Sequence, residues 1–111
     1  MLNKIEELQC ENIVEEGTYY ISSALNKNKL LSIENGAYEN LSNANLWDKK
    51  DKEYQKFKLT YDESKKSYII TATYSKKVLD VYGANQDNST NVEQYESNDT
   101  DAQRWILQYY I

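Results

Sequence analysis

Histidine is absent from the 111 residues, and cysteine occurs once, as Cys10. A lone cysteine excludes an internal disulfide, and without histidine no His/Cys zinc set can be assembled. A single thiol fits the reducing cytosol and equally a secreted protein that avoids disulfides, so the redox compartment stays open. Long apolar runs are missing too. The opening MLNKIEELQCENIVEEG alternates charged with apolar side chains and holds neither the apolar region of a signal peptide nor a spanning segment. A protein of this kind that works outside the cell is then a fragment of a longer exported chain or leaves by another route. Basic residues are the minority, 13 against 18 acidic, for a net charge of -5. That sign opposes phosphate backbones and anionic bilayers, so neither nucleic acid nor membrane insertion is expected. The length allows one modest core but not a catalytic domain beside a binding domain.

What the chain does have is tyrosine: 11 of them against one phenylalanine, with apolar residues at 40% and charged residues at 28%. Tyrosine suits a half-wet β surface, where the ring packs and the hydroxyl finds a partner. The chain also has an internal repeat with an offset of 48 residues and no gap. Tyr20-Ile21 recurs as Tyr68-Ile69, Ala24 as Ala72, Lys29 as Lys77, Leu31 as Leu79, Asn40 as Asn88, Asn43 as Asn91, Asp51 as Asp99 and Gln55 as Gln103. Conservative pairs keep the register: Leu30 with Val78, Ile33 with Val81, Trp47 with Tyr95, Lys56 with Arg104 and Phe57 with Trp105.

Within each unit the apolar spacing is that of short strands broken by Asn, Gly, Asp and Ser clusters. Four strands are predicted per unit. In the first they lie near Tyr19 to Ala24, Leu30 to Ile33, Ala44 to Asp48 and Lys56 to Tyr61. In the second they lie near Tyr68 to Tyr74, Val78 to Tyr82, Asn91 to Glu96 and Arg104 to Tyr110. Asn35-Gly36 and Tyr82-Gly83 sit where tight turns belong. Residues 1–16 read as an arm or a short helix with Leu2, Ile5 and Leu8 at helical spacing. Residues 17–111 read as one module, with a first repeat over about 17–60 and a second over about 61–111.

Each unit closes on a glutamine, any residue and an aromatic: Gln55-Lys56-Phe57 and Gln103-Arg104-Trp105. Together with VLDV at Val78 to Val81, NVEQY at Asn91 to Tyr95 and NDTDAQRW at Asn98 to Trp105, this resembles the ricin B-type lectin repeat. The likeness is greatest to repeats of bacterial, clostridial-type surface and cell-wall proteins, and it covers about Gly17 to Leu107. It implies an all-β, β-trefoil-like fold with two clear four-stranded repeats and an incomplete third. Physically, the closing aromatics Phe57 and Trp105 are expected to share one interior, each contributing roughly 1.5 to 3 kcal/mol on burial. The glutamine before each can satisfy turn backbone. After Trp105 only Ile106 to Ile111 remain, which resemble no third unit. A truncated chain, association between chains or a diverged first segment would each cover the strand edges left over, and a homo-oligomer is the reading preferred.

Sugars offer an apolar ring face for an aromatic platform and vicinal hydroxyls for a carboxylate. Carried over from the family, Asp80 is the carboxylate, Tyr95 the platform, Glu93 the neighbouring polar group and Gln103 a contribution from the closing motif. The family pattern places an asparagine before the motif glutamine where this chain has Ala102, with Asp101 or Asn98 as substitutes. In the first repeat Ser32 stands at the carboxylate position and Tyr54 at the asparagine position, while Trp47 and Asn45 keep the platform region; that site is expected to be weakened or lost. The plainer readings are that Asp80 caps a turn and Tyr95 packs on an edge strand. Asn85, Asp87, Ser89, Asn91, Glu93 and Glu96 fall on calcium-loop positions but lack the central glycine and the flanking helices, so no metal is expected.

The resemblance implies a carbohydrate-binding module without catalysis or cofactor, directed at a galactose-like or amino sugar, extracellular or at the cell surface. A protein-binding trefoil with a vestigial sugar site is the alternative. A glycoside hydrolase would need two carboxylates in a deep cleft, which this length does not supply.

Overall fold

The computed structural model describes residues 14–107. The expected helix around Leu2, Ile5 and Leu8, and the far end of the last expected strand, lie outside these residues. Eight strands form one curled antiparallel sheet: β1 (Gly17–Tyr19), β2 (Ser22–Ser23), β3 (Asn26–Ile33), β4 (Ser42–Asp48), β5 (Phe57–Asp62), β6 (Ser67–Ala72), β7 (Val78–Val81) and β8 (Val92–Tyr95). Their order is β1-β5-β6-β7-β8-β4-β3-β2. Short 3-10 turns follow β3 and β7 and precede both closing motifs, at Glu34–Gly36, Tyr82–Ala84, Glu53–Gln55 and Asp101–Gln103.

The strands follow from period-two alternation. Along β5, Phe57 and Leu59 are buried while Lys58 between them is exposed, which is how a half-buried pleat reads. Ile33, Phe57, Ala72 and Leu79 make the central apolar cluster, and Trp105 packs against it. Both closing aromatics therefore enter one interior. Trp105 also exchanges backbone hydrogen bonds with Tyr68 at 2.8 and 2.9 Å, and its indole N–H donates to the Leu79 carbonyl at 3.3 Å.

The repeat persists in the backbone. Asn35 and Gly36 adopt φ of 58° and 61°, and their counterparts Gly83 and Ala84 adopt 60° and 53°. Leu41 and Ser89 match at 72° and 69°, as do Asp51 and Asp99 at 55° and 61°. Left-handed conformations cost non-glycine residues energy, so their recurrence at the repeat offset means that the turns are dictated by the unit.

Two expected elements are corrected, and of these the strand expected from Arg104 onward is, as far as Leu107, only a single bridge of Trp105 to Tyr68. The strand expected over Tyr19 to Ala24 is split, because β1 pairs with β5 whereas β2 pairs with β3. The chain changes partners at Tyr20-Ile21, and the Ile21 carbonyl accepts from the Leu31 N–H at 2.8 Å. An apolar cavity of about 360 Å³, with Ile21, Leu59, Tyr68, Ile70, Trp105 and Leu107 among its walls, lies between the first and last described segments.

Candidate functional site

The third residue of β7, Asp80, and the strand facing it build the site. In the β7–β8 pair Asp80 stands directly opposite Glu93, and Val78 opposite Tyr95. Directly opposed residues on one face bring their side chains together, so two carboxyls meet at one wall. Asp80 is only 7% exposed and Glu93 1%. Burial first, and then the hydrogen bond and negative charge of Asp80, push the Glu93 carboxyl up to about 7. Around neutrality the Glu93 carboxyl is thus about half protonated, where a free carboxyl would be ionised.

Gln103 fixes this arrangement from behind. Fully buried, it donates from Nε2 to Asp80 Oδ2 at 2.7 Å and to the Glu96 carbonyl at 2.9 Å, and its Oε1 accepts from the Asn98 N–H at 2.9 Å. Gln55 repeats all three bonds: Nε2 to Ser32 Oγ at 3.1 Å and to the Asp48 carbonyl at 2.7 Å, with Oε1 accepting from Lys50 N–H at 2.9 Å. The motif glutamine is a pin that closes its own turn and orients whatever stands at position 80 or 32. In the first unit that residue is the Ser32 hydroxyl, which donates in turn to the Leu30 carbonyl at 3.1 Å and has no charge to offer.

Asp80 and Glu93 line a cavity of about 330 Å³ whose other walls include Leu41, Tyr82, Tyr95 and Ala102. Asn98 and Thr100 reach it as well. Asp101 is exposed and does not line it; Gln103 touches it only through Asp80. Asp80 lies within β7, so it caps no turn. The matching cavity of the first unit holds about 180 Å³ and is lined by Ser32, Glu34, Asn35, Asn45, Trp47 and Tyr54. Trp47 is therefore part of a separate site and 53% exposed. The size difference has a local cause. The Tyr54 ring lies over Gly36, so close that a Cβ there would sit 2.7 Å from its Cδ2, whereas the matching position of the second unit, Ala84, carries a Cβ. Ala102, in the place of Tyr54, leaves the second pocket open.

Leu41 was not singled out in the sequence, because it belongs to the first unit. Its N–H donates to the Gln94 carbonyl at 2.8 Å, and the Asn40 Oδ1 beside it accepts from Glu96 N–H at 2.9 Å. Gln94 itself is fully buried and donates to the carbonyls of Ala37 and Glu39 at 2.8 and 3.1 Å. The 37–41 segment is thereby clamped onto β8 and over the second pocket. Among the described residues no group of three or more acidic, cysteine or histidine side chains converges as a metal set. The site offers a carboxyl pair, aromatic surface and a few neutral polar groups.

The family model of ricin-type beta-trefoil lectin domain-like proteins matches residues 9–95 and again 54–111, so one sequence fits it in two overlapping frames. No curated protein matches the chain. Among solved structures it is similar to ThreeFoil, a designed 3-fold symmetric protein, with a TM-score of 0.78 and 26% identity, over 90% of this chain and 69% of that one. It is similar also to a Polyporus squamosus lectin bound to the human-type influenza-binding epitope Neu5Aca2-6Galb1-4GlcNAc, with a TM-score of 0.75 and 20% identity over 89% of this chain. A third likeness is to the PSL1a-E64 complex, with a TM-score of 0.74 and 18% identity over 86% of this chain. The chain spans only 35% and 34% of these last two. With two matched frames, the sheet topology and the twice-written glutamine pin in agreement, the chain belongs to the ricin-type β-trefoil lectin domain-like family.

Proposed function

We propose that the protein is a carbohydrate-binding module without catalytic activity, and that its principal site is the open pocket of the second unit. The observation that carries this is Asp80: a nearly buried carboxylate held by Gln103, set beside Tyr95 in a cavity of about 330 Å³. Such a carboxylate accepts two adjacent hydroxyls while the tyrosine ring covers the apolar face of the same sugar. Glu93 holds its proton more tightly than a free carboxyl, so it can donate to a ring or hydroxyl oxygen. Asn98 takes the place beside the pocket that Ala102 leaves empty. A galactose-like or amino sugar of a polysaccharide or glycoprotein fits this set, met outside the cell or at its surface. The two carboxyls share one wall and do not flank a cleft, which argues against glycoside hydrolysis.

A single shallow site binds at about 1 mM, roughly -4 kcal/mol. Useful avidity then requires several sites or several chains, and we include association between copies in the proposal; a solution mass equal to one 13.0 kDa chain at all concentrations would remove that part. The site is tested by titrating simple sugars while following tryptophan fluorescence. Binding by the parent protein and its loss, at least tenfold, in Asp80→Ala is the expected result. Absence of any response in the parent to galactose, glucose or their acetamido derivatives would favour a protein-binding trefoil.

A further inference from the structure

Leu41 is an apolar, exposed side chain in a backbone conformation that penalises it. Its φ is 72°, and 55% of its surface is open. The unit's own logic demands the left-handed turn, since Ser89 at the matching position has a φ of 69°. It does not demand leucine. Glycine, asparagine or a small polar residue meets that turn with less strain, and a branched apolar side chain there receives little packing in return. Strain that the surrounding fold does not explain points toward function.

Its position is fixed from two sides, by the bond from its own N–H to Gln94 and by that from Glu96 to Asn40. There it forms a wall of the cavity that also holds Asp80, Glu93 and Tyr95, although these belong to the other unit. The first unit's cavity is lined only by residues 32–54 of its own unit and has no such wall. The second pocket thus combines an acceptor for hydroxyls, a platform for a ring face and an apolar surface brought by a neighbour.

We infer that Leu41 is a specificity-determining residue, selecting sugars that carry a methyl-bearing substituent, such as an acetamido group, over the same sugars without it. This rests on the carbohydrate reading of the pocket and goes beyond it by naming the ligand feature and the residue that recognises it. Covering one methyl against leucine is worth about fourfold in affinity. Asp80 and Tyr95 take hydroxyls and ring face alike from both kinds of sugar, so the preference is assigned to the apolar wall that Leu41 brings from the other unit.

The experiment compares galactose with N-acetylgalactosamine, and glucose with N-acetylglucosamine, by titration against the whole chain and against Leu41→Ser. Serine is the residue already accommodated at the matching turn, so the variant is expected to fold, as its thermal transition will report. The parent should prefer the acetamido member of whichever pair it binds by about fourfold or more. Leu41→Ser should erase that preference, lowering the affinity for the acetamido member about fourfold more than that for the plain sugar. An undiminished preference, or an equal loss for both members of a pair, overturns the inference while the carbohydrate reading stands. If the parent binds none of the four sugars, or if Asp80→Ala binds them as well as the parent, both fall together.

Discussion

Glu93 places an acid with a raised pKa in the middle of the physiological range, in a chain that has no histidine. Its carboxyl titrates near the ordinary value of 4.5 when unfolded and at about 7 when folded. A raised acid binds its proton more tightly in the native state, so its contribution is fully present below about 4.5 and is lost as pH rises through 7. Asp62 works the other way: the Ser64 hydroxyl first, then the Lys65 N–H and Arg104, hold its carboxyl down at about 2. Its contribution is lost only as pH falls from 3.8 toward 2, outside the neutral window. The urea midpoint is therefore expected to fall between pH 5 and 8, and in Glu93→Gln to become nearly flat over that interval. An equal slope in both proteins would place the titrating group elsewhere. The exchange of Ser32 for Asp80 was legible in the sequence because it falls at one repeat position. That Glu93 is buried against Asp80 was not, since it depends on the β7–β8 register. That Gln103 would satisfy turn backbone was legible from the motif, but its bond to Asp80 was not, since it depends on how the closing turn sits behind β7.

At the scale of elements, the turns after β3 and β7 share a left-handed pair but differ in what lies above it. Gly36→Ala must strain the backbone and displace the Tyr54 ring, whereas Gly83→Ala meets only the strain. The expected cost is about 1 kcal/mol at Gly83 and about 2–4 kcal/mol at Gly36, where overpacking is added. Denaturant titration of both variants, repeated in a Tyr54→Ala background, checks this: there the Gly36 cost should drop to that at Gly83. Equal costs in the parent background would show that the Tyr54 ring moves freely. Strand positions were largely readable from alternation, and both turns from their Gly-containing dipeptides. The split of the first strand was not, because Tyr19 to Ala24 carries an unbroken pattern and the switch from β5 to β3 is decided by distant partners.

At the scale of the molecule, the 48-residue offset revealed two units but not how one seats on the other. The residue that does this, Gln94, stands opposite Leu46 in the repeat, and a mismatched pair gives no signal in a comparison of copies. Gln94 is fully buried, accepts from Ser75 Oγ at 2.9 Å and binds two carbonyls of the first unit, while Leu46 is 51% exposed. The edge of Tyr74 against Tyr38, with centroids 4.8 Å apart, and the hydrogen bond from the Tyr74 hydroxyl to the Ala37 carbonyl reinforce the same junction. Gln94→Leu, which copies the first unit into the second, removes the bonds to the Ala37 and Glu39 carbonyls and the one from Ser75 Oγ, while Tyr74 and Ser42 still donate to the two carbonyls, and should cost about 1–2 kcal/mol. Leu46→Gln, the reverse exchange at an exposed position, should stay within about 0.5 kcal/mol. The main-chain bond from Leu41 to the carbonyl of residue 94 survives Gln94→Leu, but the 37–41 segment loses the two side-chain bonds that anchor it, which loosens one wall of the proposed sugar pocket. Gln94→Leu is therefore expected to weaken sugar binding at temperatures where the chain is still folded, and Leu46→Gln to leave it intact. If both exchanges prove equally mild in denaturant and in titration, the two units are joined by the continuous sheet alone, and the 37–41 segment is a passenger on β8.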